Sequence, residues 1–598
     1  MKTNKTFAIP LFFLFFSTTV LAQKSSLSYT VKMNNPEWHF FHVQLACKGI
    51  KKDFIDFKMP AWTPGYYQKM DYAKYLERLK ATDETGKELK WEKTADNTWR
   101  VLSKNANTVN LEYDIKTMRS FVATAYVDET RAYILPAAVF LHIDKMINHP
   151  VQVTVIPDVK WNRVATGLDS IAGKKFTYTA PDFDILYDSP FLVGDLEELP
   201  PFYIRGVKHR FIGYKLGDFD KAEFIVDLKK IVDAAVNVIG HVPYKHYTFI
   251  AIGQGPGGIE HLNNTTFGFN GTNLNKRENY IRTLHFLAHE YFHHYNVKRI
   301  RPIELGPFDY DKGSRTKMLW VSEGLSVYYE YMVVRRAGIS TDSELLNAFR
   351  GNMVAFENKP GKRYQTLEQA SYETWSDGPF GRTGDEVNKT ISYYDKGPVV
   401  GMLFDFKIRQ VTNNKKSLDD VMRFLYKEYY QKKKRGFTEV ELKSAFETVA
   451  GTSLNEEYEY VTTTKEIDYP KYFTYAGLKI DTSTLILPAA YLGFTLRERE
   501  DSAFIAAVDY ESPAWNSSLR RGQQVLKING EKATVNLLNK TVEAAKPGEK
   551  ISLTLFSNNE TKNIEIIFDK KKDRPFITAT IGDPDPLQKQ ILEGWLKG

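Results

Sequence analysis

Between about residues 23 and 200 of this 598-residue chain, apolar and polar positions alternate in short runs, as at 27–33, 39–45, 98–102 and 151–156. Side chains two apart share one face of a strand, so such runs predict half-buried β-strands. Turn clusters such as Pro60-Ala61-Trp62-Thr63-Pro64-Gly65 punctuate them, and together they predict an antiparallel β domain over 23–200. After Pro200-Pro201 the period lengthens. Apolar residues recur at helical spacing over 219–239, 280–295, 321–337 and 399–412, which predicts a mainly α domain over 201–472. Strand-like runs separated by Gly and Asn turns resume near Tyr475 and give a third, β-rich unit over 473–570. In the remaining tail, 571–598, the stretch 586–598 suits a short helix. The fold expected from pattern alone is a multidomain α+β chain, and its length agrees, since it exceeds what one core usually organises.

The first 22 residues differ from all that follow. Lys2 and Lys5 precede an apolar run that ends in Val20-Leu21-Ala22, the form of a secretory signal peptide. Export to the periplasm or the medium is therefore expected. A lipid anchor would need Cys at the cleavage point, where Gln23 stands. No later stretch reaches the ~20 apolar residues that a bilayer crossing needs, so no membrane span is expected. Cys47 is the only cysteine, which rules out an intramolecular disulfide and leaves His and carboxylate side chains as metal ligands. The net charge of +8 is mild for this length. Basic clusters such as Lys432-Lys433-Lys434-Arg435 and Lys570-Lys571-Lys572 read as solvated loop faces, and no nucleic-acid partner is expected.

The segment His289-Glu290-Tyr291-Phe292-His293 carries candidate chemistry. Two histidines four apart on a helix project from one face and can bind one ion, with zinc the natural occupant. Glu290 is offset by one residue, which puts its carboxylate beside the metal rather than on it, where it can take a proton from an attacking water. Leu284, Leu287, Ala288, Tyr291 and Tyr295 give the helix a broad apolar flank, so it is expected to lie in a core. His285, one turn earlier, would close the coordination sphere and is not expected to be a ligand, nor are His294 and His261. A third ligand should be a carboxylate on a neighbouring helix. Glu323, in Leu319-Trp320-Val321-Ser322-Glu323-Gly324, is available, but spacing alone favours a carboxylate that complements a helix N-terminus behind a Ser322 cap.

These residues resemble the glycyl aminopeptidase family of zinc metallopeptidases, relatives of the thermolysin-like enzymes. The matching pieces are Gly257-Gly258-Ile259-Glu260-His261, the stretch HEYFHHYNVKRIRP from His289 to Pro302, Trp320-Val321-Ser322-Glu323-Gly324, and Ser392-Tyr393-Tyr394-Asp395-Lys396-Gly397. The resemblance implies one zinc ion per chain held by His289, His293 and Glu323, with Glu290 as general base in a thermolysin-like catalytic domain. It implies that Glu260, following Gly257 and Gly258 in the substrate-binding segment, receives the free α-ammonium group of a peptide. It also implies that Tyr394, with Tyr393 as its rival, donates a hydrogen bond to the oxyanion. The family commonly has Trp two residues after the second histidine. Here Tyr295 stands there, and an altered pocket wall is expected.

Residues 473–570 resemble a PDZ domain. Tyr491-Leu492-Gly493-Phe494 is similar to the loop that receives a peptide C-terminus, although Tyr491 replaces the usual first Gly and Gln523 the usual Asp after Gly522. The function expected is a zinc aminopeptidase acting on peptides, favouring small first residues such as Gly or Ala. An endopeptidase, or a non-catalytic envelope protein that binds peptides through the PDZ-like module, are the alternatives.

Overall fold

The computed structural model describes residues 25–117, 119–379, 382, 388–557 and 559–598. The expected signal peptide at 1–22 lies outside the described residues.

The alternating runs of the N-terminal region become strands whose apolar members face inward. In Phe40–Lys48, Phe41, Val43, Leu45 and Cys47 are buried while His42 and Gln44 face outward. This strand pairs antiparallel with Thr108–Lys116 over its whole length and with Ser26–Lys32 on its other side, inside a seven-stranded sheet. One pair departs from the expected antiparallel pattern, since Ser26–Lys32 runs parallel to Val151–Ile156. Two four-stranded sheets complete this layer around one apolar cluster.

Between 197 and 267 the chain forms a six-stranded sheet that the helical pattern did not reveal. Val207–Gly213, His246–Ala251 and Asn264–Phe267 are parallel neighbours, and Gly258–Glu260 closes the edge antiparallel to Asn264–Phe267. The strand His246–Ala251 is buried on both faces, which removes the period-two signal. Helices follow. Lys221–Ile239, Arg277–Phe292, Leu325–Arg336 and Tyr393–Val411 realise the four expected helical segments and share one core. Among the described residues no helix is long and apolar enough to cross a membrane.

The C-terminal β unit is a six-stranded sheet with the helix Val535–Ala544 beside its edge strand Phe494–Arg499. Two strand pairs flank it: Leu478–Asp481 with Ile577–Thr580, and Leu485–Tyr491 with Asp569–Asp573. The chain then returns to the helical core. The expected terminal helix forms at Pro586–Lys597, with Ile591 and Trp595 fully buried and the Trp595 indole N–H donating to the Tyr328 hydroxyl at 3.1 Å.

Candidate active site

The helix Arg277–Phe292 lies in the core along the apolar flank expected of it, and His293 sits one residue beyond its end with helical dihedrals. The Nε2 atoms of His289 and His293 are 2.9 Å apart, and Glu323 Oε2 lies 3.3 Å from His293 Nε2 and 3.6 Å from His289 Nε2. Among the described residues these three form the one group with metal-binding spacing. A tetrahedral zinc with bonds near 2.0–2.1 Å separates its ligand atoms by roughly 3.3 Å, so donor types and spacing both fit zinc.

Each donor is held from behind. His293 Nδ1–H donates to the Asn296 carbonyl at 2.8 Å, which turns the Nε2 lone pair toward the cluster. His289 Nδ1 lies 2.9 Å from Glu330 Oε2. Asn296 Nδ2 donates to the carbonyls of Val321 and Ser322, tying the end of the histidine helix to the backbone beside Glu323. Ser326 Oγ is 3.2 Å from His293 Nδ1, so Glu323, Ser326 and Glu330 form one stripe facing the histidines. The i, i+3, i+7 spacing of these three was visible in the sequence, yet Ser326 and Glu330 went unread.

Glu323 does not sit behind a serine cap. Trp320–Gly324 is a π-helical turn that runs directly into Leu325–Arg336, and Ser322 lies inside it, fully buried. Such turns insert a residue into a helix and re-aim its side chains, here pointing Glu323 at the histidines. The turn crosses the helix Tyr393–Val411 glycine on glycine. A Cβ added to Gly324 would stand 2.7 Å from Gly397 Cα, and one on Gly397 2.6 Å from Gly324 Cα. That close approach delivers Tyr394, whose hydroxyl donates to Glu323 Oε2 at 2.9 Å. Burial and the Glu323 charge hold the Tyr394 hydroxyl well above its usual range, so it stays a donor. Tyr393, the rival, is turned away to Thr374 Oγ1 at 3.1 Å.

Glu290 is buried beside the cluster. Its Oε2 accepts from Thr265 Oγ1 at 3.3 Å, and Gly258 leaves room for its carboxylate, since a Cβ there would lie 2.4 Å from Glu290 Cδ. Burial pushes the Glu290 carboxyl up to about 7 against the pull of His289 and His293. Gly257, with φ +84°, turns the chain into the strand that carries Glu260. Glu260 is 4% exposed, its Oε1 has no hydrogen-bond partner, and Lys298 Nζ stands 4.0 Å away.

The sequence reading missed the contribution of the N-terminal domain. Tyr67 donates its hydroxyl to Glu323 Oε1 at 3.1 Å, and Gly65 packs so closely on Glu260 that a Cβ would come within 2.8 Å of Oε2. The Pro60–Gly65 cluster signalled a turn but gave no sign of where it would point.

His294, His285 and His261 lie outside the three-residue cluster. His294 is buried among Tyr244, Tyr247, Tyr291 and Tyr295, and burial holds it neutral. His285 packs edge-on to Tyr331. His261 contacts Asp188 Oδ1 at 3.1 Å. Tyr295 lies in the core, its hydroxyl donating to the His241 carbonyl, so the expected altered pocket wall is instead an internal hydrogen bond.

Asp188 anchors the floor of this region. Lys298 Nζ lies 2.8 Å from its Oδ1. Burial alone would raise the Asp188 carboxyl, but Lys298 and His261 outweigh it and bring it down to about 2. Asp188→Asn takes the near partner from a buried ammonium and leaves it only Glu260 at 4.0 Å, so urea unfolding at pH 7 is expected to show a loss of about 3 kcal/mol. A carboxyl with a depressed folded pKa contributes stability above its unfolded value near ~3.9 and loses it as pH falls through the folded value. The gap between wild type and variant should therefore close between about pH 4 and 2. A gap that is constant with pH would show that the ion pair does not carry the effect.

In the C-terminal unit, Gly493, at φ +79°, turns the Tyr491–Phe494 loop, whose Leu492 carbonyl accepts from Ala514 N at 2.9 Å. The Tyr491 hydroxyl donates to Asp509 Oδ2 at 2.7 Å. The adjoining turn rests on the helical domain through Arg363 and Glu511, 3.2 Å apart, and the Tyr364 and Tyr510 hydroxyls, 3.1 Å apart.

Comparison with known proteins agrees with this architecture. The Peptidase M61 N-terminal domain matches residues 28–195, the M61 glycyl aminopeptidase family matches 282–400, and the PDZ domain matches 490–568. No curated protein matches the chain. Among solved structures, an aminopeptidase N family protein from Idiomarina loihiensis shares the fold with a TM-score of 0.86 at 21% identity, over 95% of this chain and 100% of that one. A looser likeness, with a TM-score of 0.46 at 14% identity over 75% of this chain and 95% of that one, is to an M1 zinc metallopeptidase from Deinococcus radiodurans. The chain is a zinc metallopeptidase whose N-terminal and catalytic segments resemble the two M61 peptidase domains, with a PDZ domain behind the catalytic one.

Proposed function

We propose that this metallopeptidase holds one zinc through His289, His293 and Glu323 and removes the first residue of peptides, favouring glycine or alanine. The observation that carries the reading is Glu260, a buried carboxylate on the strand beside Glu290 whose Oε1 accepts no hydrogen bond and has only Lys298, 4.0 Å away, as a cation neighbour. A free α-ammonium group bound there would register the first peptide bond against the general base. When bound, zinc supplies Lewis acidity toward water and the scissile carbonyl. Glu290 takes the proton of the attacking water and passes it to the leaving amine. Tyr394 turns its single O–H from Glu323 to the oxyanion, the charge that grows as the carbonyl becomes tetrahedral. Gly65 against Glu260 and Tyr67 against Glu323 narrow the space for the first side chain, which supports the small-residue preference.

The edge strand Phe494–Arg499 is suited to pair with an extended peptide whose C-terminus reaches the Tyr491–Phe494 loop. Export through the segment 1–22 belongs to the same reading.

A panel of glycyl, alanyl and leucyl reporter amides, free and N-acetylated, tests the assignment. Free substrates should exceed acetylated ones by about a hundredfold in kcat/KM, and Glu260→Gln should erase most of that gap. Acetylated substrates cut as fast as free ones would make the enzyme an endopeptidase. Leucyl amides cut as fast as glycyl amides would sink only the small-residue preference.

A further inference from the structure

Two stretches that the proposed chemistry leaves unused meet at a second cavity of about 530 Å³. One is the Lys298–Arg301 segment that follows the histidine helix, and the other is the basic loop ending at Arg435. The charged residues in its wall are Lys298, Arg299, Arg301, Lys434 and Arg435, with no carboxylate among them.

Nearby acids neutralise only part of this charge. Arg435 is forked onto Glu441 at 2.7 and 2.9 Å, and Lys298 is paired to Asp188 on its far side. Arg299 is 5% exposed. The carbonyls of Leu262, His294 and Pro243 hold its terminal nitrogens but carry no charge, and its Nε has no hydrogen-bond partner. Its guanidinium lies 5.8 Å from the ring of Tyr430, another wall residue. Half-buried Arg301 stacks over Gly306, where a Cβ would come within 2.3 Å of its Cζ. Among the described residues the side chains of Arg301 and Lys434 enter no ion pair. Burial lowers the Arg301 pKa and outweighs the opposing pull of Asp184 and Asp188, which lie near it without pairing.

We propose that this cavity is an oxyanion site that takes a phosphate group. Planar guanidinium forks match phosphate oxygens, and a doubly charged group offsets the clustered cations better than a single carboxylate does. The ligand would lie behind Lys298, whose ammonium faces Asp188 and Glu260 on the other side.

Calorimetric titration of the zinc-loaded, full-length enzyme at fixed ionic strength tests this, with inorganic phosphate, pyrophosphate and glycerol phosphate as probes. Saturable binding is expected, weakened about tenfold in Arg301→Gln and in Lys434→Gln. Lys434 is exposed on a loop, so its variant keeps the fold. It also leaves the zinc site intact, so an anion on the metal would bind that variant as tightly as wild type. Glycerol phosphate binding like inorganic phosphate would mean that the group arrives on a larger molecule, whereas binding of the inorganic ions alone would mean free phosphate. Heats that never saturate, or binding unchanged in both variants, would overturn the proposal.

Discussion

Glu290→Gln is expected to lower kcat by about a thousandfold while the protein still takes up one zinc per chain. Glutamine has the shape of glutamate and still accepts from Thr265, but it cannot receive the proton of the attacking water. The metal cluster is left whole, because His289, His293 and Glu323 form it without Glu290. Metal analysis together with steady-state kinetics separates this result from simple loss of zinc. A variant that is inactive because it is metal-free would place Glu290 in the coordination sphere. A variant that keeps its rate would remove Glu290 from the mechanism.

Gly258→Ala is expected to cost about a hundredfold in kcat by displacing that same carboxylate. Gly258 is not in the left-handed region, so alanine fits the backbone and the only conflict is steric. The new methyl would stand 2.4 Å from Glu290 Cδ and Oε1, which must move away from the place where water is deprotonated. A misplacement near 1 Å is enough for an effect of this size. Thermal unfolding and zinc content should stay near wild type. Full activity in Gly258→Ala would show that Glu290 works from another position.

Both variants act on residues that the sequence made visible, because their geometry is local. The four-residue spacing of His289 and His293, and the offset of Glu290, are set within one helix turn. The alternating strands of the N-terminal domain were legible for the same reason. The six-stranded sheet was not, since a strand buried on both faces, such as His246–Ala251, shows no alternation. Nor could local pattern show that Glu323 sits on a π-helical turn, where the helix register shifts without any special residue type. Tyr67 was furthest from reach, since its bond to Glu323 joins residues 256 apart in the chain. Only the meeting of two domains creates it. Tyr393 and Tyr394 could not be told apart by spacing, and the contacts that part them, Tyr394 to Glu323 and Tyr393 to Thr374, are made with other helical segments.

The strand pair that frames the PDZ domain bears on the order in which the chain is made. Asp481 and Ile577 are opposite each other in an antiparallel ladder, so the chain leaves the catalytic domain and re-enters it at one place. Trp595, packed on Phe349 and Phe406 in the catalytic core, comes after that return. Domains tend to fold as units in the order of synthesis. Here the interrupting module is complete, and free to fold, before the last buried tryptophan of the core around it has been added.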